Sequence, residues 1–329
     1  MSGAETSMGS AQDARLVRED VMVPFRLERA NLRGRAARLG PTIDAILSRH
    51  DYPAPVAGLL GEALALTAVL AGTLKYDGIF TLQAKGDGPI KLLVCDVTSD
   101  GDLRGFADVD QDKFSALGDA SPDGPVPRLL GAGYLAFTVD QGADMDRYQG
   151  IVELTGATLT ECAQHYFRQS EQIDTLLRLG VGRPDGEHWS ASALMIQRVP
   201  MMGGSSDDAG NEDAGHIDEE QREDDWRRLA IVLGTVRNEE ALADDADPAR
   251  LLYRLFHEDG VRVFEPQTLR DQCRCSDERA ENALRMLSDE ELEDMKVDGE
   301  ITVSCQFCSR LRRYDEAALA GLRIGEADG

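Results

Sequence analysis

Four of the six cysteines of this 329-residue chain gather near its C-terminal end, as Cys273-Arg-Cys275 and Cys305-Gln-Phe-Cys308, with 29 residues between the pairs. Four thiolates so placed suit an ion that takes soft ligands at tetrahedral angles, and zinc, at about 2.3 Å from each sulfur, is that ion. A CxxC on a tight turn presents two sulfurs to one metal. CxC also chelates, less comfortably, and is the rarer half of the signature. One Zn²⁺ per chain is the expected load. A disulfide scaffold is excluded by number, since six cysteines in this length are too few and two of them lie far away. Two readings of the site stay open. It can be a structural zinc knuckle. It can equally be a switch, because zinc holds cysteine as the thiolate that oxidants attack. A metal of this kind supplies about 10–16 kcal/mol of folding free energy, so losing it would unfold a small domain.

The elements around the thiols are short. Ser276 is placed to cap a helix whose first turn holds Asp277 and Glu278, and Ser288-Asp-Glu-Glu291 is a capping box for a second. GEITVSCQFCSRLRRYD reads as a hairpin carrying the CxxC. Residues 273–329 therefore make a zinc-binding domain too small to stand without its ion. Four thiolates and one Zn²⁺ carry −2, which Arg274, Arg279, Arg310, Arg312 and Arg313 are near enough in sequence to offset.

The remainder reads as α+β, with strands and helices grouped and not strictly alternating. Residues 1–21 form an expected disordered leader, acidic in places and unlike a secretory signal. Residues 22–202 form a core domain with a mixed or antiparallel sheet. It opens with the strand VMVPFRLER and continues with a helical pattern through GPTIDAILSRH. A proline-led start then begins the long apolar helix APVAGLLGEALALTAVLAGTLK. The alternating runs from IFTLQAKG to GFADV, broken by GDG and SDGD, are hairpin signals. GYLAFTVD and YQGIVELTG continue the strands, LTECAQHYFRQSEQIDTLLRL reads as a helix, and SASALMIQRVP returns as a strand. Residues 203–225 are an acidic insert expected to be flexible, with ten acids and one base between 205 and 225. Residues 226–272 read as a helical linker of two amphipathic helices followed by the short strand VRVFEP.

Composition removes several functions. A formal net charge of −25 opposes a nucleic-acid partner, which needs Lys and Arg to displace counterions. Glu62, Thr67 and the small residues of the long apolar stretch fit a buried helix better than a membrane span. The chain is expected to be cytoplasmic, in a reducing compartment. Cys95 and Cys162 read as buried core thiols, and His165 and His257 as packed or surface residues. KGDGPIK lacks the GxxxxGK[ST] of a phosphate loop, and no GxSxG elbow appears. No catalytic residue is expected, and the protein is read as not an enzyme.

The chain resembles the 33 kDa heat-shock chaperonin family, the redox-regulated holdases of the bacterial cytoplasm. RHDYPAPV, TLKYDG, KGDGPIKLLV, DRYQGIVEL, YFRQSEQIDT, YRLFHEDGVRVFEPQ and CRC…CQFC carry the likeness from about residue 22 onward. The resemblance implies that Cys273, Cys275, Cys305 and Cys308 hold zinc in a reduced, inactive protein. It implies two disulfides in the active one, closed between adjacent thiols as Cys273–Cys275 and Cys305–Cys308. It makes 226–265 a metastable linker that folds on the core and unfolds to receive unfolded client proteins under oxidative stress. The apolar residues such an opening would expose are Leu229, Ile231, Val232, Leu252, Leu255 and Phe256, and dimerisation would follow. A thiol–disulfide oxidoreductase and a zinc-ribbon interaction module are the alternatives; the first wants a βαβ context around CxxC, and the second is opposed by the charge.

Overall fold

A computed structural model describes residues 20–72, 77–118, 124–142, 148–198, 219–243 and 246–324. The expected leader up to residue 19 and the insert from 203 to 218 lie outside the described residues. The chain divides into two compact units, Met1–Asp271 and Gln272–Gly329, and the fold class is α+β.

The first unit carries helices α1 (Pro41–Leu47), α2 (Ala54–Ala71), α3 (Gln111–Ser115), α4 (Pro125–Leu129), α5 (Leu159–Tyr166), α6 (Glu219–Gly234), α7 (Asn238–Ala241) and α8 (Pro248–Phe256). Its strands are β1 (Val21–Leu27), β2 (Leu32–Leu39), β3 (Ile79–Gly86), β4 (Ile90–Thr98), β5 (Asp102–Val109), β6 (Gly133–Asp140) and β7 (Tyr148–Glu153). They continue with β8 (Thr175–Gly182), β9 (Ser190–Arg198), β10 (Val261–Val263), β11 (Gln267–Thr268) and β12 (Arg270–Asp271). One sheet runs β10–β1–β2–β9–β8, with β11 also on β1; the other runs β12–β5–β4–β3–β6–β7. Among the described residues the strands of these sheets pair antiparallel, except β12, which runs parallel to β5.

Helix α2 lies between the two sheets, against β2, β8 and β9 on one side and β3, β4 and β5 on the other. That placement explains its sequence. A helix covered on both sides has no solvent face to reserve for charge, and 14 of its 18 residues are buried. Thr67 satisfies its hydroxyl by donating to the Ala63 carbonyl at 2.7 Å. The helix is thus the core of the unit, as its small residues and Glu62 indicate. The GDG and SDGD turns close the β3–β4 and β4–β5 hairpins. At Gly101, with φ +90°, a Cβ would sit 2.1 Å from the Thr268 carbonyl oxygen, so only glycine permits the β11–β12 segment to run past this turn.

Four expectations need correction. The core begins at Asp20, not Met22: its carboxylate accepts from the Gly40 and Thr42 amides at the start of α1, and Val21 already pairs with Arg38. The stretch read as one helix from Leu159 to Leu179 stops at Tyr166. A π-helical turn, Phe167–Glu171, follows, Gln172 turns left-handed at φ 55°, and Thr175–Gly182 is a strand. There the ladder with β9 decides, sending Leu177 and Leu179 into the core on alternate positions. The segment LRGRAARL between the first strand and α1, which carries no strand signal, forms β2 by pairing with β1 and β9. Helix α6 starts at Glu219, inside the stretch expected to be a flexible insert, because Leu229 and Leu233 anchor the helix on the sheet.

The second unit contains α9 (Asp277–Arg285), α10 (Asp289–Met295), the hairpin β13 (Ile301–Ser304) and β14 (Leu311–Tyr314), and α11 (Glu316–Ile324). Both caps form as expected. Ser276 Oγ accepts from the Arg279 amide, and Ser288 and Glu291 bond reciprocally. Six residues fill its buried core: Ala280, Leu284, Leu292, Ile301, Tyr314 and Leu319.

Candidate functional site

The second unit brings the four thiols together. Cys273 and Cys275 lie on the extended chain just before α9; Cys305 follows β13, and Cys308 sits in the turn that leads to β14. That turn is tight: the Ser309 amide donates to the Cys305 carbonyl at 2.8 Å, the Cys305 amide donates to the Arg310 carbonyl at 3.0 Å, and Ser309 is left-handed at φ 56°. All four sulfurs lie within 4.8 Å of one another, with Cys273–Cys305 at 3.7 Å and Cys275–Cys308 at 3.5 Å. A tetrahedron of sulfurs about 2.3 Å from one ion has edges of about 3.8 Å, so the cluster has the size of a single-metal site. The thiols are reduced and half-buried.

Among the nearby arginines, Arg312 reaches a sulfur. It is buried, donates from Nε to Asp277 at 2.5 Å and approaches Cys275 Sγ with Nη2 at 3.6 Å. Burial works to raise the Cys275 pKa, but the Arg312 guanidinium and the neighbouring thiols outweigh it and bring it down to about 7. Burial pushes Cys308 up to about 12. Asp277 fixes the cation that lowers Cys275. Cys95 and Cys162 are fully buried in the first unit, where burial raises both thiols, Cys162 to about 11. They are inert core thiols, as expected.

The first unit holds the other expected functional residues. The face of the β1–β2–β9–β8 sheet turned away from α2 presents Val21, Val23, Phe25, Leu27, Leu194 and Ile196, and α6, α7 and α8 cover it. Leu229, Leu252 and Phe256 are fully buried there, while Val232 and Leu255 pack partly buried around them. Ile231 is the exception. It is 71% exposed, on the solvent side of α6, and has no place among residues uncovered by opening. Phe256 stacks on Phe25 with ring centroids 6.2 Å apart, and Phe25 lies directly over Gly34, where a Cβ would meet its ring at 2.1 Å. Polar contacts fasten the cover at several points. Buried Arg38 donates to the Ala243 carbonyl at 2.7 Å, and Arg198 pairs with Glu223 at 2.8 Å and stacks over Trp226. Arg228 joins α6 to buried Asp259 beyond α8. Gly34 and Arg38 carry no sequence signal for this role, since only the fold reveals what lies above them.

An amphipathic helical cover over an apolar sheet, followed in the chain by a separate four-thiol unit, fits a chaperone. Comparison with known proteins supplies the family. The family described as Hsp33 protein matches residues 20–315. The chain is 40% identical over 303 residues to a 33 kDa chaperonin of Caulobacter vibrioides, spanning 91% of this chain and 96% of that one. It is 37% identical over 304 residues to a 33 kDa chaperonin of Pseudomonas fluorescens, spanning 92% of each. Its fold is similar to the crystal structure of a 33 kDa chaperonin from Thermotoga maritima, with a TM-score of 0.73 and 23% identity over 94% of this chain and all of that one. The chain belongs to the Hsp33 family.

Proposed function

We propose that this protein is a redox-regulated holdase of the cytoplasm, which binds unfolding proteins and prevents their aggregation when oxidised. In the reduced, inactive protein Cys273, Cys275, Cys305 and Cys308 hold one Zn²⁺, which supplies charge neutralisation and folding energy to residues 272–329. The observation that carries the reading is the four-sulfur cluster in a unit with six buried apolar residues among those described. Such a core is too thin to fold without a staple.

A peroxide oxidises two thiol pairs. Each pair of sulfurs gives up two electrons to one peroxide, which takes two protons from solvent and leaves as two waters, and two disulfides form. Cys273–Cys305 and Cys275–Cys308 approach across the motifs, and all four sulfurs are within reach of one another. Once the unit loosens, closing a loop of a few residues costs less chain entropy than closing one of about thirty, which favours Cys273–Cys275 and Cys305–Cys308. Unfolding of this unit then lowers the stability of the linker. The linker opens and exposes Leu229, Val232, Leu252, Leu255 and Phe256 with the sheet face beneath them. That surface takes apolar segments of unfolded clients, or a second copy of the chain as a homodimer. An oxidoreductase reading is weakened by the placement of CxxC on an antiparallel hairpin, without a helix N-terminus to activate a thiol.

The test is zinc content measured with aggregation suppression of a chemically unfolded protein. Reduced protein should hold one zinc and suppress little. Peroxide with mild heat should release zinc and switch suppression on. Mass spectrometry of the oxidised chain should recover the two short-range disulfides. Full suppression by zinc-loaded protein would overturn the proposal.

A further inference from the structure

Between the two sheets, at the C-terminal end of α2, the first unit holds a cavity of about 460 Å³ that the proposed chaperone cycle does not use. That is the size of a small-molecule site. Its walls are of two kinds. Phe80 and Phe137 stack at 6.2 Å between centroids, and Tyr166 packs on Phe137 at 4.3 Å and on Phe167 at 5.3 Å, giving a continuous aromatic surface. Facing it, Arg33 and Arg35 stand two residues apart on β2 and so share one side of the sheet.

The charges are unequally committed. Glu171, the one acid in the lining, accepts at Oε1 from Tyr148 at 2.6 Å and from Tyr166 at 2.5 Å. Arg198, at the rim, is engaged by Glu223 of α6. Among the described residues, the Nε–H of Arg35 is buried with no acceptor, an arrangement that costs stability until a ligand supplies one. Burial, and then neighbouring Arg33, lower the pKa of this guanidinium to about 10, the response of a cation lacking a counter-charge. An orphaned guanidinium with a like charge beside it, opening on an aromatic wall, is complementary to an anion with an apolar body.

We propose that this cavity binds a small amphiphilic carboxylate, its head on Arg35 and Arg33 and its alkyl or aryl body against Phe80, Phe137 and Phe167. A peptide fits less well. Its amide N–H groups would need acceptors, and the carboxylate available is already bonded to two tyrosines.

The experiment titrates reduced, zinc-loaded full-length protein with carboxyl-labelled decanoate, followed by calorimetry and by the carboxyl NMR resonance. One saturable site per chain is expected, with 1-decanol binding about tenfold more weakly or worse, as loss of a charge-assisted hydrogen bond dictates. Arg35→Met should weaken decanoate by about tenfold, and Arg35→Lys should recover most of that loss. Ile173→Trp, which narrows the cavity from outside β2, should weaken decanoate and decanol alike, so the test survives if the Arg35 variants fail to fold. Equal binding of decanol and decanoate, binding without saturation, or unchanged affinity in folded Arg35→Met or Ile173→Trp would overturn the site.

Discussion

The β1–β2–β9–β8 sheet is covered on both faces by helices, and the two covers are built on different terms. On one face α2 is enclosed between two sheets, with Leu60, Leu64 and Leu66 wholly buried. On the other, α6 spans 16 residues and buries two of them, Leu229 and Leu233, while α8 buries Pro248, Leu252 and Phe256. Trp226, Val232, Leu251 and Leu255 pack partly buried around them, while the solvent side of both helices is mostly charged, with Ile231 and Tyr253 also exposed there. The first cover cannot leave without dissolving the unit. The second rests on a sheet whose strand ladder is complete without it, which is what the proposed opening requires. Under the proposed function, one sheet serves as permanent core on one side and, on the other, as the docking surface that opening of the cover would expose.

Substitutions on the two faces should separate these roles. The largest effect is expected from Phe256→Ala, which empties the stack on Phe25 and removes about 3–5 kcal/mol from the cover. The reduced, zinc-loaded variant should suppress aggregation without peroxide, while its urea midpoint for the rest of the unit moves little. Leu64→Ala should cost about 2–5 kcal/mol on the opposite face. There the loss should appear as global unfolding at lower urea, with no gain in reduced-state suppression. If Leu64→Ala activated the protein as Phe256→Ala does, the two faces would not differ. Gly34→Ala should act through the cover as well: the new methyl displaces the Phe25 ring, and overpacking of this kind costs about 1–3 kcal/mol. Faster exchange in α8 without a change in α2 is the outcome to measure. Ile231→Ala should do least, within about 0.5 kcal/mol of the parent in urea, because the side chain is already in water. A clear rise in reduced-state suppression would show that Ile231 helps to hold the cover.

What the sequence disclosed follows from the range of the interactions involved. The thiol site was legible because its ligands fall in two short motifs whose spacing is itself the chemistry, and Ser276 and Ser288 announced the helices between them. The long helix was legible from its continuous apolar run. Strand β2 was not, since Arg, Gly and Ala are poor strand formers and only pairing with β1 and β9 makes LRGRAARL a strand. Thr175–Gly182 was misread for a related reason: leucines serve helix and strand equally, and the break at Gln172 has no glycine or proline to mark it. Arg312 could be picked out only as one of five nearby arginines. Its bond to Asp277, 35 residues away, is what selects it. The seat of the linker was least legible, because Phe25, Gly34 and Arg38 lie some 200 residues before the helices that rest on them.

The central claim is that the cover over one sheet face opens while the core on the other stays closed. Hydrogen exchange followed by mass spectrometry, on the zinc-loaded reduced protein and on the peroxide-activated protein, tests it directly. Activation should strip protection from 226–258 and from 272–329, while Ala54–Ala71 and the strands β3–β6 remain protected. A fully active sample in which 226–258 stays protected, or in which exchange rises first across Ala54–Ala71, would contradict the account.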